Sequence, residues 1–338
     1  MKGTGHIESI DILRGLAAIG VVCFHFSCSF LPTIKGNYLT PIFQYGYIGV
    51  QVFFIISGFI IPYVLYSSNY QLKNYSVFLS RRFMRIAPPA YVVMLMTILV
   101  HYLAILYLGR EIRGSFPGID IKTILANFLF VVPFVKDVYY YVDVFWTLTF
   151  EFEFYILIGL IFPLLIHKSK VYQVTGMTII AVIAFSLNNI YYIYFAMGLL
   201  NFLFRYDKIG KLEFSAILLL LIAFAFDVVK TAEIIASIFT IILILLNPRA
   251  GSVFKFLAKI SYSLYIIHLL SGMLLEYIFK NILPIHDSEG GKVFLLLLYV
   301  GLTVVVASLF YILVENRFLA YSKKIGKQSS HLSDSTVK

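Results

Sequence analysis

Charge is scarce in this chain. Only 13% of its 338 residues are Asp, Glu, Lys or Arg, whereas 60% are hydrophobic, and the mean hydropathy is +0.90. A soluble domain of this size could not hide so much apolar surface, so the composition points to an all-α, polytopic transmembrane helix bundle. Cysteine is almost absent too. Cys23 and Cys28, both in the first apolar segment, are the only two; that excludes a metal quartet and a disulfide framework and leaves two small packing residues. The first apolar run lacks a small-residue cleavage site and is followed at once by another, so no cleavable signal peptide is expected and the run stays as a span. A net charge of +10 would suit nucleic acid, but the basic residues fall between apolar runs and build no separate basic domain. Neither an internal repeat of the hydropathy pattern nor a second soluble domain is evident.

What is there is a succession of apolar runs of spanning length. The sequence predicts helices near 10–30, 45–66, 87–108, 145–166, 172–188, 190–204, 213–229, 232–247, 260–281 and 292–314, ten spans with some of them short. The apolar stretch 121–135 is shorter, ends at Pro133 and is predicted as a re-entrant or interfacial segment. With both termini cytoplasmic, nineteen of the 27 Lys and Arg residues fall on the inner side and eight on the outer, as the positive-inside rule requires. Counting 121–135 as a crossing would reverse every later loop. Residues 7–318 form the membrane domain and 319–338 a polar tail, disordered by composition.

The few charges inside the spans carry the functional information. Arg14 and His25 lie in the first span, eleven residues apart, so on an α-helix they project within roughly 20° of one another and sit roughly 16 Å apart along the axis. An ionisable group in a hydrophobic span costs a few kcal/mol or more unless it faces protein or water. A neutral imidazole such as that of His25 can take a proton from a hydroxyl, or can itself be acylated. Its alternative is a hydrogen bond to a neighbouring helix. Arg81, Arg82 and Arg85 open the third span, with Arg82 and Arg85 one turn apart. Guanidinium groups suit the phosphates of a cytoplasmic donor such as an acyl-coenzyme A; they would equally fix topology and bind lipid headgroups.

Three further clusters stand out. Trp146 to Tyr155 combines interfacial aromatics with Glu151 and Glu153, which on a helix point roughly 160° apart and cannot both line one cavity. One of them would orient His25, stabilise its imidazolium or bind an acceptor hydroxyl, or else pair with a buried arginine. Ser261, Ser263 and His268 would glue helices together or line the same cavity as Arg14. Gly49, Ser57 and Gly58 permit close helix packing, with Gln51 as the buried polar group of that run.

These motifs, taken in order, are Leu13-Arg14 with His25, the GVxxFFxxSGF-like run from Gly49 to Phe59, the RRxxRxxP-like run from Arg81 to Pro88, Trp146 to Tyr155, and the SYSLYxxH run from Ser261 to His268. Together they resemble the acyltransferase-3 family of membrane O-acetyltransferases that modify bacterial surface polysaccharides and related glycans. The resemblance implies a ten-helix enzyme of the bacterial cytoplasmic (inner) membrane. Such an enzyme passes an acyl group, usually acetyl from acetyl-CoA and without a metal, to a hydroxyl of a glycan or lipid-linked sugar. Within it Arg14 and His25 match the essential pair, Arg82 and Arg85 the basic motif and Glu151 the motif glutamate, with Glu153 where glutamine is more usual. Gln51 stands where an aspartate is common, and Val314-Glu315-Asn316-Arg317 departs from a glutamate followed by a basic residue and proline. The chain stops after its last span and so resembles the members without an appended esterase-like domain.

The expected mechanism places the donor phosphates against Arg82, Arg85 and Arg14, with Arg81, Ser261 and Ser263 also among the donor-binding residues, His25 as base or acyl carrier and Glu151 as the supporting acid. A transporter or flippase of a lipid-linked sugar is the rival from another class, and a structural subunit of a polysaccharide synthase is a third.

Overall fold

The computed structural model describes residues 5–109, 118–186, 190–280 and 288–326. Most of these residues are helical, and none of those described is in a strand. The helices are α1 (Glu8–Phe24), the four-residue α2 (Thr40–Phe43), α3 (Gly49–Ser67), α4 (Tyr75–Leu108), α5 (Ile121–Phe128), α6 (Trp146–Leu165) and α7 (Lys170–Ser186). They continue with α8 (Tyr192–Arg205), α9 (Lys211–Val228), α10 (Thr231–Leu246), α11 (Ser252–Phe279), α12 (Glu289–Phe310) and α13 (Asn316–Ser322). Every expected span falls on one of them. Among the described residues six stretches are long and apolar enough to cross a membrane: Glu8–Phe30, Thr40–Ser67, Leu72–Tyr107, Asp143–Leu165, Ser252–Phe279 and Glu289–Ser322. The apolar helices Lys170–Ile183, Tyr192–Arg205 and Thr231–Leu246 are shorter.

Three expectations are sharpened. α4 starts twelve residues before the predicted span, so the whole arginine motif is helical and runs straight into Pro88 and Pro89. Those prolines deprive the carbonyls one turn earlier of their donors, and the Tyr262 hydroxyl donates to the neighbouring Ile86 carbonyl at 2.6 Å. The stretch 121–135 contains an eight-residue helix and then a 3-10 turn at Val132–Phe134. At about 12 Å, that helix falls far short of a bilayer core. Asp120 caps it by accepting from the Thr123 backbone N–H and hydroxyl, both at 2.8 Å, bonds that hold its carboxyl below the usual carboxylate range. The third is a change of helix type: the first span turns from α to π at His25–Phe30, and the last does so at Tyr311–Glu315. Residues 319–322 of the expected disordered tail are instead the end of α13, and residues 327–338 lie outside the described residues.

The chain divides into two compact units. The first comprises residues 1–17, 47–76 and 150–259. In it α3 and α8 approach until their backbones touch. A methyl on Gly58 would lie 2.2 Å from the Phe195 carbonyl oxygen, and one on Gly198 2.1 Å from that of Ile55. Small residues at such a crossing are how apolar helices gain dispersion contact where no hydrophobic drive separates protein from lipid. Around the crossing Phe195 packs on Phe54 and Phe154, with ring centroids 4.7 and 4.4 Å apart. Asn247, in the left-handed region at φ 48°, ends α10, while its side chain accepts the Ser9 N–H at the start of α1 at 3.1 Å. Arg205 donates to the Ile244 and Leu245 carbonyls at 2.7 and 3.1 Å, satisfying two of the carbonyls that the end of α10 leaves open.

The second unit comprises residues 18–46, 77–149 and 260–338. Its core includes Phe26, Leu31, Leu264, Leu296 and Tyr299, all fully buried. A methyl on Gly272 would meet the Phe26 ring at 2.5 Å, which seats the π turn against α11. The loop after that turn is held by Glu276, which accepts from the Thr33 N–H at 3.0 Å and its hydroxyl at 2.8 Å.

Replacing Gly58 or Gly198 by alanine is expected to cost about 1–3 kcal/mol by forcing α3 and α8 apart. Thermal unfolding of the detergent-solubilised protein checks this; an unchanged midpoint for both variants would refute the close crossing.

Candidate active site

In the second unit His25 is the first residue of the π turn that closes the first span. A π turn carries one residue more than an α turn and recurs at functional positions, because it re-aims the side chains around it. His25 is half-buried, with Ser29 Oγ 3.4 Å from its Nδ1. Its ring centroid lies 5.1 Å from that of His268, the planes tilted by 43°. His268 is fully buried, its Nδ1 2.6 Å from the Tyr265 carbonyl oxygen. The Ser271 hydroxyl donates to the His268 carbonyl at 3.1 Å and pairs with Thr303 at 3.0 Å. His268 thus lies beside His25.

The same unit carries the arginine motif and the serines. Arg81 is exposed and donates from Nε to the Ile325 carbonyl at 2.9 Å. Arg82 and Arg85 are half-buried, and the Arg82 guanidinium lies 5.8 Å from the Phe78 ring centroid. Ser261 and Ser263 are fully buried. Ser263 turns to Glu315, whose Oε2 accepts both its N–H, at 3.1 Å, and its hydroxyl. Glu315 is buried at the end of the second π turn. Thr147 Oγ1 meets the Tyr265 hydroxyl at 2.9 Å, and that hydroxyl also donates to the Val144 carbonyl at 3.2 Å. This fixes the start of α6 against α11.

The first unit holds Arg14, half-buried on α1, and both carboxylates of α6. Glu151 accepts from the Ser57 hydroxyl at 3.1 Å and from the Tyr155 hydroxyl one turn on. Glu153 accepts from the Tyr192 hydroxyl at 3.1 Å. The two therefore have separate partners, as their spacing on a helix demands. Gln51 is buried, and its amide is placed to donate to the Tyr47 and Ile48 carbonyls at 2.9 and 3.2 Å. A third carboxylate, Glu233 on α10, is buried with the hydroxyls of Tyr47, at 3.1 Å, and Tyr194 donating to its two oxygens. Among the described residues no three His, Cys, Asp or Glu side chains gather in a group that could hold a metal ion.

Glu233 is not marked by any motif of the sequence, and Glu315 is marked there only as the end of the last span. The signal for Glu315 was present, because it closes the run Val293–Val314, which contains no charged residue. A carboxylate there needs a partner for the same reason that Arg14 and His25 do. The partner itself, fifty-two positions away, is visible only in the fold.

With this geometry in view, comparison with known proteins is informative. A family model described as an acyltransferase domain matches residues 7–312. The peptidoglycan O-acetyltransferase OatA of Listeria monocytogenes is 28% identical over 166 residues, 45% of this chain and 23% of that protein. The O-acetyltransferase OatA of Staphylococcus aureus is 26% identical over 177 residues, 50% of this chain and 27% of the relative. The putative peptidoglycan O-acetyltransferase YrhL of Bacillus subtilis is 26% identical over 181 residues, 49% and 25% of the two chains. The aligned part thus spans about a quarter of each of these relatives. No solved structure matches.

Because Ser263 and Glu315 share two hydrogen bonds, their removal should be non-additive. Ser263→Ala and Glu315→Ala are each expected to destabilise the protein, and the double variant to fall short of the sum by about 0.5–3 kcal/mol. Additive shifts in unfolding midpoint would show that the pair is not coupled.

Proposed function

The chain belongs to the acyltransferase-3 family, and from that membership we propose that it is a membrane O-acyltransferase. It moves an acetyl group from cytoplasmic acetyl-CoA to a hydroxyl of a cell-surface glycan or lipid-linked sugar. The observation that carries the reading is the pairing of a half-buried His25 with His268 inside a chain matched by an acyltransferase domain. Relatives named as O-acetyltransferases of peptidoglycan support the acceptor class. The chain lies in the cytoplasmic membrane with ten spans and both termini inside, an arrangement supported by the distribution of Lys and Arg between the apolar runs.

The donor enters from the cytoplasmic side, where Arg82 and Arg85 take its phosphates. Their side chains stay charged and offer forked donors to phosphate oxygens. Arg81, already bonded to the Ile325 carbonyl, adds positive potential on the same helix, and the family resemblance gives Arg14 of the first unit a donor-anchoring role. Ser261 belongs to the donor-binding residues of this reading; Ser263, placed there too, has its hydroxyl engaged with Glu315.

His25 is the reacting group. Acting as base, it takes the proton of the acceptor hydroxyl while the hydroxyl oxygen bonds to the acyl carbon. The carbon–sulfur bond breaks, and the departing sulfur takes the proton back from His25. As carrier it would itself hold the acyl group for one step before the acceptor oxygen displaces it. Either route leaves the imidazole as it began. Glu151 supports the acid–base chemistry through the hydroxyls it gathers, those of Ser57 and Tyr155.

The test compares host glycans with and without the gene, and with His25→Ala protein present at normal level. Loss of O-acyl esters with unchanged polymer yield is expected in both strains, a fall of at least about 10²-fold for the variant. Loss of the polymer itself would identify a transporter, and full esterification by His25→Ala would remove His25 from the mechanism. Arg82→Ala with Arg85→Ala is expected to raise KM for the acyl donor more than it lowers kcat, as loss of a binding contact does.

A further inference from the structure

The chemistry above rests on His25 and leaves His268 without a task. His268 is fully buried, and its Nδ1 faces the Tyr265 carbonyl oxygen at 2.6 Å. A carbonyl only accepts, so Nδ1 carries the proton and Nε2 of the neutral ring is a bare lone pair. That Nε2 is buried and has no hydrogen-bond partner. A buried acceptor left without a donor is rare enough to call for a use.

The groups around the ring narrow that use. Phe26, 6.4 Å away between centroids, has no proton to give. Tyr265, at 6.1 Å, has its hydroxyl engaged with Thr147 and the Val144 carbonyl. Ser271 is spent on the His268 carbonyl and on Thr303. The remaining ring is that of His25, at 5.1 Å between centroids, a separation from which a turn of the His25 ring brings a nitrogen within hydrogen-bond range of His268.

We propose that His268 is a positioning residue for His25, its Nε2 accepting the N–H of His25 when that ring holds the substrate's proton. The inference rests on His25 being the reacting group. During transfer the acceptor O–H bond breaks and its proton passes to His25. The oxygen–acyl bond forms, the carbon–sulfur bond breaks, and the thiolate recovers the proton. His268 neither gains nor loses one; it fixes the orientation of His25 and shares the charge of its imidazolium. The role parallels that of the buried carboxylate in a Ser-His-Asp triad, filled here by a neutral ring.

The experiment uses the full-length protein in membranes, with folded amount normalised by melting temperature and yield. His268→Asn keeps an amide donor for the Tyr265 carbonyl and removes the acceptor. His268→Gln reaches further and returns an amide oxygen to the position of Nε2. We expect His268→Asn to lower kcat by roughly 10²-fold with KM for the acyl donor within about twofold, and His268→Gln to recover to within about tenfold of wild type. His268→Asn added to His25→Ala should cost nothing more. A His268→Asn enzyme with wild-type kcat, or a His268→Gln enzyme no better than it, overturns the proposal while inactive His25→Ala leaves the role of His25 standing. An active His25→Ala enzyme instead overturns both. Should His268→Asn fail to fold, His268→Gln decides alone: activity within about tenfold supports the proposal, and a loss beyond about 10²-fold overturns it.

Discussion

The rest of this structure depends on one constraint: a polar or ionisable side chain inside an apolar interior must be met by another group of the protein. Burying a carboxylate without partners would cost more than a single mutation-sized increment of stability. Among the described residues the two buried acids, and the half-buried Glu151, are accordingly dressed with hydroxyls. Glu233 takes those of Tyr47 and Tyr194, Glu315 that of Ser263, and Glu151 those of Ser57 and Tyr155. Hydroxyl donors satisfy a carboxylate's lone pairs without adding a second charge to desolvate, which is the expensive part of a buried ion pair. Long-range pairs of this kind also fix which helices lie together within each unit, so the polar residues specify packing that apolar contacts against lipid would leave loose.

The two π turns sit where this polar economy is densest. One begins with His25, and the other ends on Glu315. Both lie in the second unit, beside α11, which supplies Ser263 to one and His268 to the other. Inserting a residue into a helix lets one side chain leave the 3.6-residue stripe that lipid and neighbouring helices dictate for the rest. It also explains why a plain helical wheel describes the first span only as far as Phe24. The roughly 20° offset expected between Arg14 and His25 assumes an unbroken α-helix, and the change to π falls at His25 itself.

Much of the fold was legible because length and hydropathy are strong signals: every expected span coincides with a helix, and 121–135 contains no spanning helix. Boundaries were less legible. α4 and α11 begin in polar, charged sequence that a hydropathy window ends on, although Ser252 and Tyr75 start helices that continue without interruption into the apolar part. Among the candidate site residues, His25 and His268 could each be picked out as ionisable groups in apolar surroundings. Their adjacency could not be foreseen, because it joins positions more than two hundred residues apart in sequence. The partners of Ser263 and Glu151 were hidden for the same reason. Spacing reveals which residues share a helix face, whereas a contact between distant helices is set by packing of the whole unit.

A neutral partner for His25 is what the setting favours. In water-exposed enzymes the histidine of an acid–base pair is often oriented by an aspartate. Inside a span a standing negative charge must be desolvated throughout the cycle, although it helps only during the moments when the imidazole is protonated. A second imidazole avoids that continuous cost. It is held in one tautomer by the Tyr265 carbonyl, and in the proposed role it would carry part of a positive charge only while the proton is in transit. The proposed acyl transfer from sulfur to oxygen would need no more, because the proton removed from the acceptor returns to the leaving group. On the proposed route the site would stabilise one transient cation and no permanent ion pair, a smaller demand on an apolar interior.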